Sequence, residues 1–408
     1  MKKQETITVS SDHLWLRIIA FILALTVAVV AFSYGVMGIG RKESGYQLIE
    51  PDPDEEVLLF AKGVTFQYYF AGSSDEIKFA VKELNAVYSP ALLRLYKLLD
   101  PETEYEGFAN IATLNAHIGE DVAISDELYR VLLDAKEKTL EQKGFNMFAG
   151  AFYRAWRDIR YLSDPESYDP LYNDTERDRL ERLQKASSDL GNFDLVTVDE
   201  EKHIVRLEVS ESYLALLQEL EQEGPVLDLN LLHDAYELQL LGEILGKAGY
   251  QDGYITTSGG ISVILPGNPD GDLCLYGRIP EGMTPAAMTP AAGGCAACIT
   301  RAFAREEGEP DYYELGGHLR HPWLPASGAY RNQLLAAMTV ADDAVTACYL
   351  NLQLQDLASA EELCAAAAAS GGIVAYILAG DAERTVYSNS DSVSARDDYG
   401  WQLEIIQG

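Results

Sequence analysis

Between Gly224 and Pro266 the hydrophobic pattern changes its period, and the rest of the chain can be read outward from there. Ala235, Leu238, Leu241, Leu245 and Ala248 recur at three- and four-residue steps, which places them on one face of a helix that begins near Asn230. Lys247 in its last turn and Gly249 beyond it mark the stop. Tyr254 to Thr257 then reads as a strand, Ser258-Gly259-Gly260 as a tight turn and Ile261 to Leu265 as a second strand. A glycine pair at a strand end also lets a backbone come close to a ligand, because no Cβ intervenes.

Upstream, Val64 to Phe70 (VTFQYYF) is rich in β-branched and aromatic residues and predicts a strand. Ser73 to Glu76 fits a capping box, and Ile77, Val81, Leu84 and Tyr88 continue it as an amphipathic helix that Pro90 breaks or kinks, with a second piece running to Leu99. Asp100 to Asn115 reads as a loop. Ser125 caps a helix carrying Leu128, Val131, Leu132 and Ala135 inside, closed by Lys143-Gly144. Phe145 to Trp156 predicts a buried helical segment with Gly150 in its middle. Ser163 to Asp174 reads as a loop, Thr175 to Ser188 as a polar helix, and Phe193–Val198 with His203–Leu207 as a hairpin. Gly267 to Asp272 reads as a turn, and Met283 to Cys298, rich in Ala, Pro, Thr and Gly without a period, as an irregular loop. Thr339 and Val340 end a strand that feeds a helix from Ala341. Ala358–Ala369 reads as an alanine-rich helix and Ile373–Leu378 as a strand. Strands and helices mix without regular alternation, so the expected class is α+β, with mixed sheets and flanking helices, rather than a doubly wound sheet.

The N-terminus carries a different pattern. Ile18 to Gly40 holds no charged residue, and its 23 residues at about 1.5 Å each span roughly 34 Å, enough for a bilayer core. Trp15 and Tyr34 suit the interfaces, and Arg17 can snorkel. The expected layout is a cytoplasmic tail (1–17), a single transmembrane helix (18–40), a linker (41–57) and an extracytoplasmic domain (58–408). A cleaved signal peptide, with Ala31-Phe32-Ser33 at the cut, is the competing reading.

Charge narrows the partners. A formal net charge of −33 repels phosphate backbones and argues against nucleic acid. Five cysteines and six histidines exclude a disulfide-dense scaffold. Three constellations carry chemistry. Asp342 and Thr346, four apart, offer hard oxygen ligands for a cation such as Mg²⁺; read structurally, the acid complements a helix dipole and the threonine packs inward. Cys295-Ala-Ala-Cys298 has the spacing of a redox or metal half-site. His318 and His321 lie three apart beside Pro322. No GxSxG, Walker A or HExxH pattern occurs.

From Val64 to Ser388 the chain resembles the ApbE-type FAD:protein FMN transferases. The Asn110-Ile-Ala-Thr-Leu-Asn115 stretch, Ser125-Asp-Glu-Leu128, and Gly144-Phe-Asn146 with Gly150 and Trp156 are similar to the family's N-terminal half. Leu227-Asp228-Leu229 with Tyr236, then Ser258-Gly259-Gly260, resemble its central segment. His318 to Pro322 is similar to a His-x-x-Asp-Pro element, and Ala341-Asp342 with Thr346 to Ala-Asp-x-x-x-Thr. The resemblance implies binding of FAD and Mg²⁺ and transfer of FMN to a Ser or Thr hydroxyl of an extracytoplasmic acceptor protein. It implies Asn115, Ser258, Gly259, Gly260 and His318 at the cofactor and Asp342 and Thr346 at the metal.

The chain also departs from that pattern. Where the family reads Asp-Leu-Gly-Gly-x-Ala-Lys-Gly-Tyr, this chain reads Asp228-Leu-Asn-Leu-Leu-His-Asp-Ala-Tyr236: the lysine is Asp234 and both glycine positions are filled, one by Ala235. The aspartate of the histidine element is His321, and Met-Gly-Thr is missing near Phe70-Ala71-Gly72. An acid where a cation met pyrophosphate repels it by about 4 kcal/mol per charge pair at 4 Å near a surface. Three functions follow as expectations: an FMN transferase with a divergent flavin site, a non-catalytic homologue serving as a binding or scaffold module, and a redox protein using Cys295 and Cys298.

Overall fold

The computed structural model describes residues 44–52, 63–269, 271–305, 309, 312–381 and 383–406. The transmembrane span expected at 18–40 lies outside them, and no described helix is long and apolar enough to cross a membrane. Among the described residues, 44–45 and 70–82 belong to one small compact unit and the rest to a second, much larger one. In the small unit, Ser73 N–H and Oγ both donate to the Glu76 carboxylate, which is the reciprocal half of a capping box.

Among the described residues nine strands make the central sheet, and they stand in it in the order in which the chain produces them: Gly45–Ile49, Val64–Phe70, Gly253–Thr257, Ile261–Ile264, Ala296–Arg301, Leu334–Ala341, Ile373–Leu378, Thr385–Ser388 and Gln402–Ile405. The first lies within the stretch expected to be linker. From Val64–Phe70 to Thr385–Ser388 the neighbours run antiparallel, and the final pair is parallel. Residues 71–252 are inserted between the second and third strands and carry most of the helices, together with a small three-stranded sheet of Val122–Ala123, Ile204–Val209 and Phe193–Asp199. The helix His233–Lys247 returns the chain to the sheet, burying Ala235, Leu238, Leu241 and Leu245 as the period requires. Ala248 is exposed, one position past the helix end.

Four expectations about elements are corrected. Met283–Cys298 is not an irregular loop: Gly282–Ala291 is a strand paired with Gly271–Ile279 and Ser394–Ala395, and Ala296–Arg301 is a strand of the main sheet. Its alanines are small because they pack beneath large neighbours; Ala286 and Ala287 share a buried cluster with Met338, Ile377 and Trp401. Pro285 and Pro290 stand opposite Tyr276 and Asp272 in the ladder to Gly271–Ile279, and the register shifts at Leu275/Tyr276, beside Pro285. The helix Ser74–Leu99 runs unbroken through Pro90. Asp100–Asn115 contains a helix, Ile111–Ala116, because Asn110 and Thr113 form a capping box. Phe145–Ala149 is buried but not helical, and Gly150 is the first residue of the helix Gly150–Arg160 rather than its middle.

Candidate functional site

The central segment is fixed before its helix begins. Asn115 clamps the backbone of Leu227, its Nδ2 donating to Leu227 O (2.8 Å) and its Oδ1 accepting from Leu227 N–H (2.8 Å). Asp228 N–H donates to Met147 O. Gly150 lets this segment approach: a Cβ there would sit 2.5 Å from Pro225 O. Asn230 adopts φ +48, with its N–H donating to Asp228 Oδ1, and a 3₁₀ turn, Asn230–Leu232, leads into the helix His233–Lys247.

A cavity of about 320 Å³ opens beside this start. Glu102, Arg154, Arg157, Arg160, Asp228, His233, Asp234 and Pro322 line it. The three arginines come from Gly150–Arg160 at three-residue steps, a spacing visible in the sequence and not singled out there. Glu102 accepts from Arg154 Nη1 (2.6 Å) and from Arg157; burial works to raise its carboxyl, but the two guanidinium bonds prevail and hold it below the ordinary range. Asp228 is pushed up by burial. Burial disfavours charge on His233, yet its hydrogen bond to Asp234 and the fields of Glu237, Asp234 and Asp228 prevail and lift it to about 9. Glu237, one turn on, is buried, and that burial lifts it to about 7 against the pull of His233.

The Ser258-Gly259-Gly260 turn lies against the same helix start. A Cβ on Gly259 would meet Asp234 Oδ2 at 3.2 Å, so the turn and the departure at Asp234 are neighbours. Gly260 serves the sheet: it has φ +88, a Cβ would lie 2.1 Å from Ile299 O, and its carbonyl accepts from Ile299 N–H. Ser258 N–H donates to Gly63 O.

Asp342 and Thr346 line a second, open depression of about 820 Å³ with Cys295, Asp343, Gly371, Gly372 and Asn389. They are not both helical. The helix is Ala344–Asp356 and Asp343 is its N-cap, accepting from Thr346 N–H (2.8 Å) and Oγ1 (2.7 Å). Asp342 precedes the cap.

His318 lies elsewhere. It is exposed at the start of His318–Arg320, paired with Tyr313–Leu315, and lines neither cavity. That element is held by Arg320, whose buried guanidinium grips Asp169 (2.7 and 2.9 Å) and stacks on Tyr330. His321 is buried, and burial together with Arg160 and Arg320 depresses it to about 3.

Cys295 and Cys298 do not make a redox pair. Three residues of extended backbone separate them by about 10 Å, beyond the roughly 7 Å a disulfide spans. Cys298 is wholly buried against Cys348, and burial pushes the Cys295 thiol up, away from a reactive thiolate.

The meandering sheet with a helical insertion and two clefts at helix starts defines an α+β fold. The structure is similar to the ApbE protein of Thermotoga maritima (TM-score 0.57, 14% identity, 88% of this chain and 98% of that one). It is also similar to a mutant of the flavin transferase ApbE from Vibrio cholerae (TM-score 0.53, 13% identity, 86% and 98%) and to the flavinyl transferase ApbE of Pseudomonas stutzeri in its apo form (TM-score 0.50, 14% identity, 78% and 88%). No protein-family model matches the chain, and no curated protein matches it by sequence. The chain therefore has the ApbE flavin-transferase fold.

Proposed function

We propose that the chain is a membrane-anchored, extracytoplasmic FAD:protein FMN transferase-like protein with a divergent flavin site. In this reading residues 18–40 cross the membrane, and the domain from residue 58 onward takes FAD as substrate and passes FMN to a Ser or Thr of an acceptor protein. The observation that supports it most is the fold shared over 88% of the chain with Asp342 and Thr346 on one depression. The oxygen donors there fit Mg²⁺: Thr346 Oγ1 gives its hydrogen to Asp343 and keeps lone pairs for a cation, beside the Asp342 carboxylate. Such an ion would neutralise charge on a phosphate leaving group. The residues near Asp234 fit FAD less well, because an acid stands where the family's lysine would meet pyrophosphate.

That acid favours a second reading, a non-catalytic homologue that uses the fold as a binding or scaffold module. Incubation of the full-length chain with FAD and Mg²⁺ separates the two. Bound yellow flavin with AMP release supports the transferase; an intact fold without bound flavin supports the module. Asp342→Ala should abolish Mg²⁺-dependent thermal stabilisation, which at a hundredfold excess over Kd is worth about 2.7 kcal/mol. An unchanged shift would return Asp342 to a structural role.

A further inference from the structure

His233, Asp234 and Glu237 each offer one ligand-type atom, and these atoms lie within 4.8 Å of one another. His233 and Glu237 are four apart on one helical face. The His233 Nδ1 to Asp234 Oδ1 distance is 3.4 Å. That is long for a charge-assisted hydrogen bond, about 2.7–2.9 Å, and close to the edge of a tetrahedron with bonds of about 2.0–2.1 Å, roughly 3.3 Å. Glu237 is only 5% exposed, and its Oε1 is buried without a hydrogen-bond partner among the described residues. Such an oxygen costs free energy unless something satisfies it, and a cation does so.

We propose that His233, Asp234 and Glu237 bind a divalent transition-metal ion of the Zn²⁺ class. One imidazole and two carboxylates suit Zn²⁺ or Mn²⁺; Mg²⁺ prefers an all-oxygen octahedron and keeps its waters. The positive end of the helix dipole opposes a cation here, and two carboxylates outweigh it. His233 and Asp234 also line the 320 Å³ cavity, through which an ion and a water ligand would enter, as in open zinc sites. The site shares no residue with the Asp342–Thr346 depression and does not depend on the transferase reading.

The test uses the full-length chain stripped with a chelator and titrated separately with Zn²⁺, Mn²⁺ and Mg²⁺. One Zn²⁺ per chain should bind, with a rise in the thermal midpoint and little response to Mg²⁺ in the Asp342→Ala background. His233→Gln and Glu237→Gln should each weaken Zn²⁺ by more than the about 10–100-fold that loss of an outer-shell partner causes. If either fails to fold, Asp234→Asn at a half-exposed position makes the same comparison. Co²⁺ should give d–d bands without thiolate charge transfer. Absence of saturable Zn²⁺ binding, equal binding by the variants, or a thiolate band would overturn the assignment.

Discussion

Asp234 shows how much one residue decides. It stands at the start of a helix, a place that otherwise attracts anions through free N–H groups and the dipole, and it adds negative charge beside the glycine turn. In the metal-free chain, Asp234→Lys should raise FAD affinity about a hundredfold, or about 2.7 kcal/mol, in a flavin-fluorescence titration; an unchanged Kd would show that other residues hold the pyrophosphate. This departure was legible in the sequence, because the spacing from Asp228 to Tyr236 is kept. Glu237 was not, since a glutamate between Tyr236 and Leu238 reads as solvated until the fold buries it. The resemblance puts Asn115 at the cofactor; in the structure its amide bonds Leu227 and Pro101 O, and Asn115→Ala should cost roughly 2–3 kcal/mol in urea unfolding through the orphaned backbone groups. His321 makes a pH prediction. Its pKa falls from the ordinary 6.5 to about 3 on folding, with Arg160 and Arg320 facing it, so below 6.5 the unfolded chain binds the extra proton. Its contribution is complete above about pH 6.5 and is lost as pH falls towards 3. Relative to wild type, His321→Gln should flatten the decline in stability between about pH 6 and pH 4; parallel curves would show that His321 does not titrate this way.

At the scale of elements, what was legible depended on local signals. Ser125 caps its helix by accepting from Leu128 N–H, so that helix was readable from a few residues; the helix Ala360–Ala368 was read from its alanines, and the capping box of Ser359 with Glu362 was not singled out. Gly282–Ala291 had no such signal. Its alanines and prolines argue against a strand; what makes it one is the adjacent hairpin partner Gly271–Ile279 together with a neighbour distant in sequence, Trp401. The 258–260 turn was placed correctly, but the demands on its two glycines differ. Gly260→Ala would drive a Cβ into Ile299 O at a positive φ and should cost at least about 2 kcal/mol in chemical denaturation. Gly259→Ala meets only side-chain oxygens, the movable Asp234 carboxylate at 3.2 Å and Thr257 Oγ1 at 3.4 Å, and should cost less. Equal costs would mean that the turn relaxes freely.

For the whole molecule, the uncharged run at 18–40 predicts that protease added to intact cells removes the domain, and complete protection would reverse the proposed orientation. The α+β class was legible; the sheet order was not, because nothing local tells Val64–Phe70 that its partner begins at Gly253. That pairing has a consequence for biosynthesis. A ribosome adding roughly 5–20 residues per second needs on the order of ten to forty seconds to make residues 71–252. Throughout that interval VTFQYYF, with no charge, proline or glycine, has the composition of an amyloid-prone segment and no strand from downstream to pair with. Nascent chains arrested before Gly253 should therefore self-associate, and the cell must keep this segment sequestered until the third strand emerges.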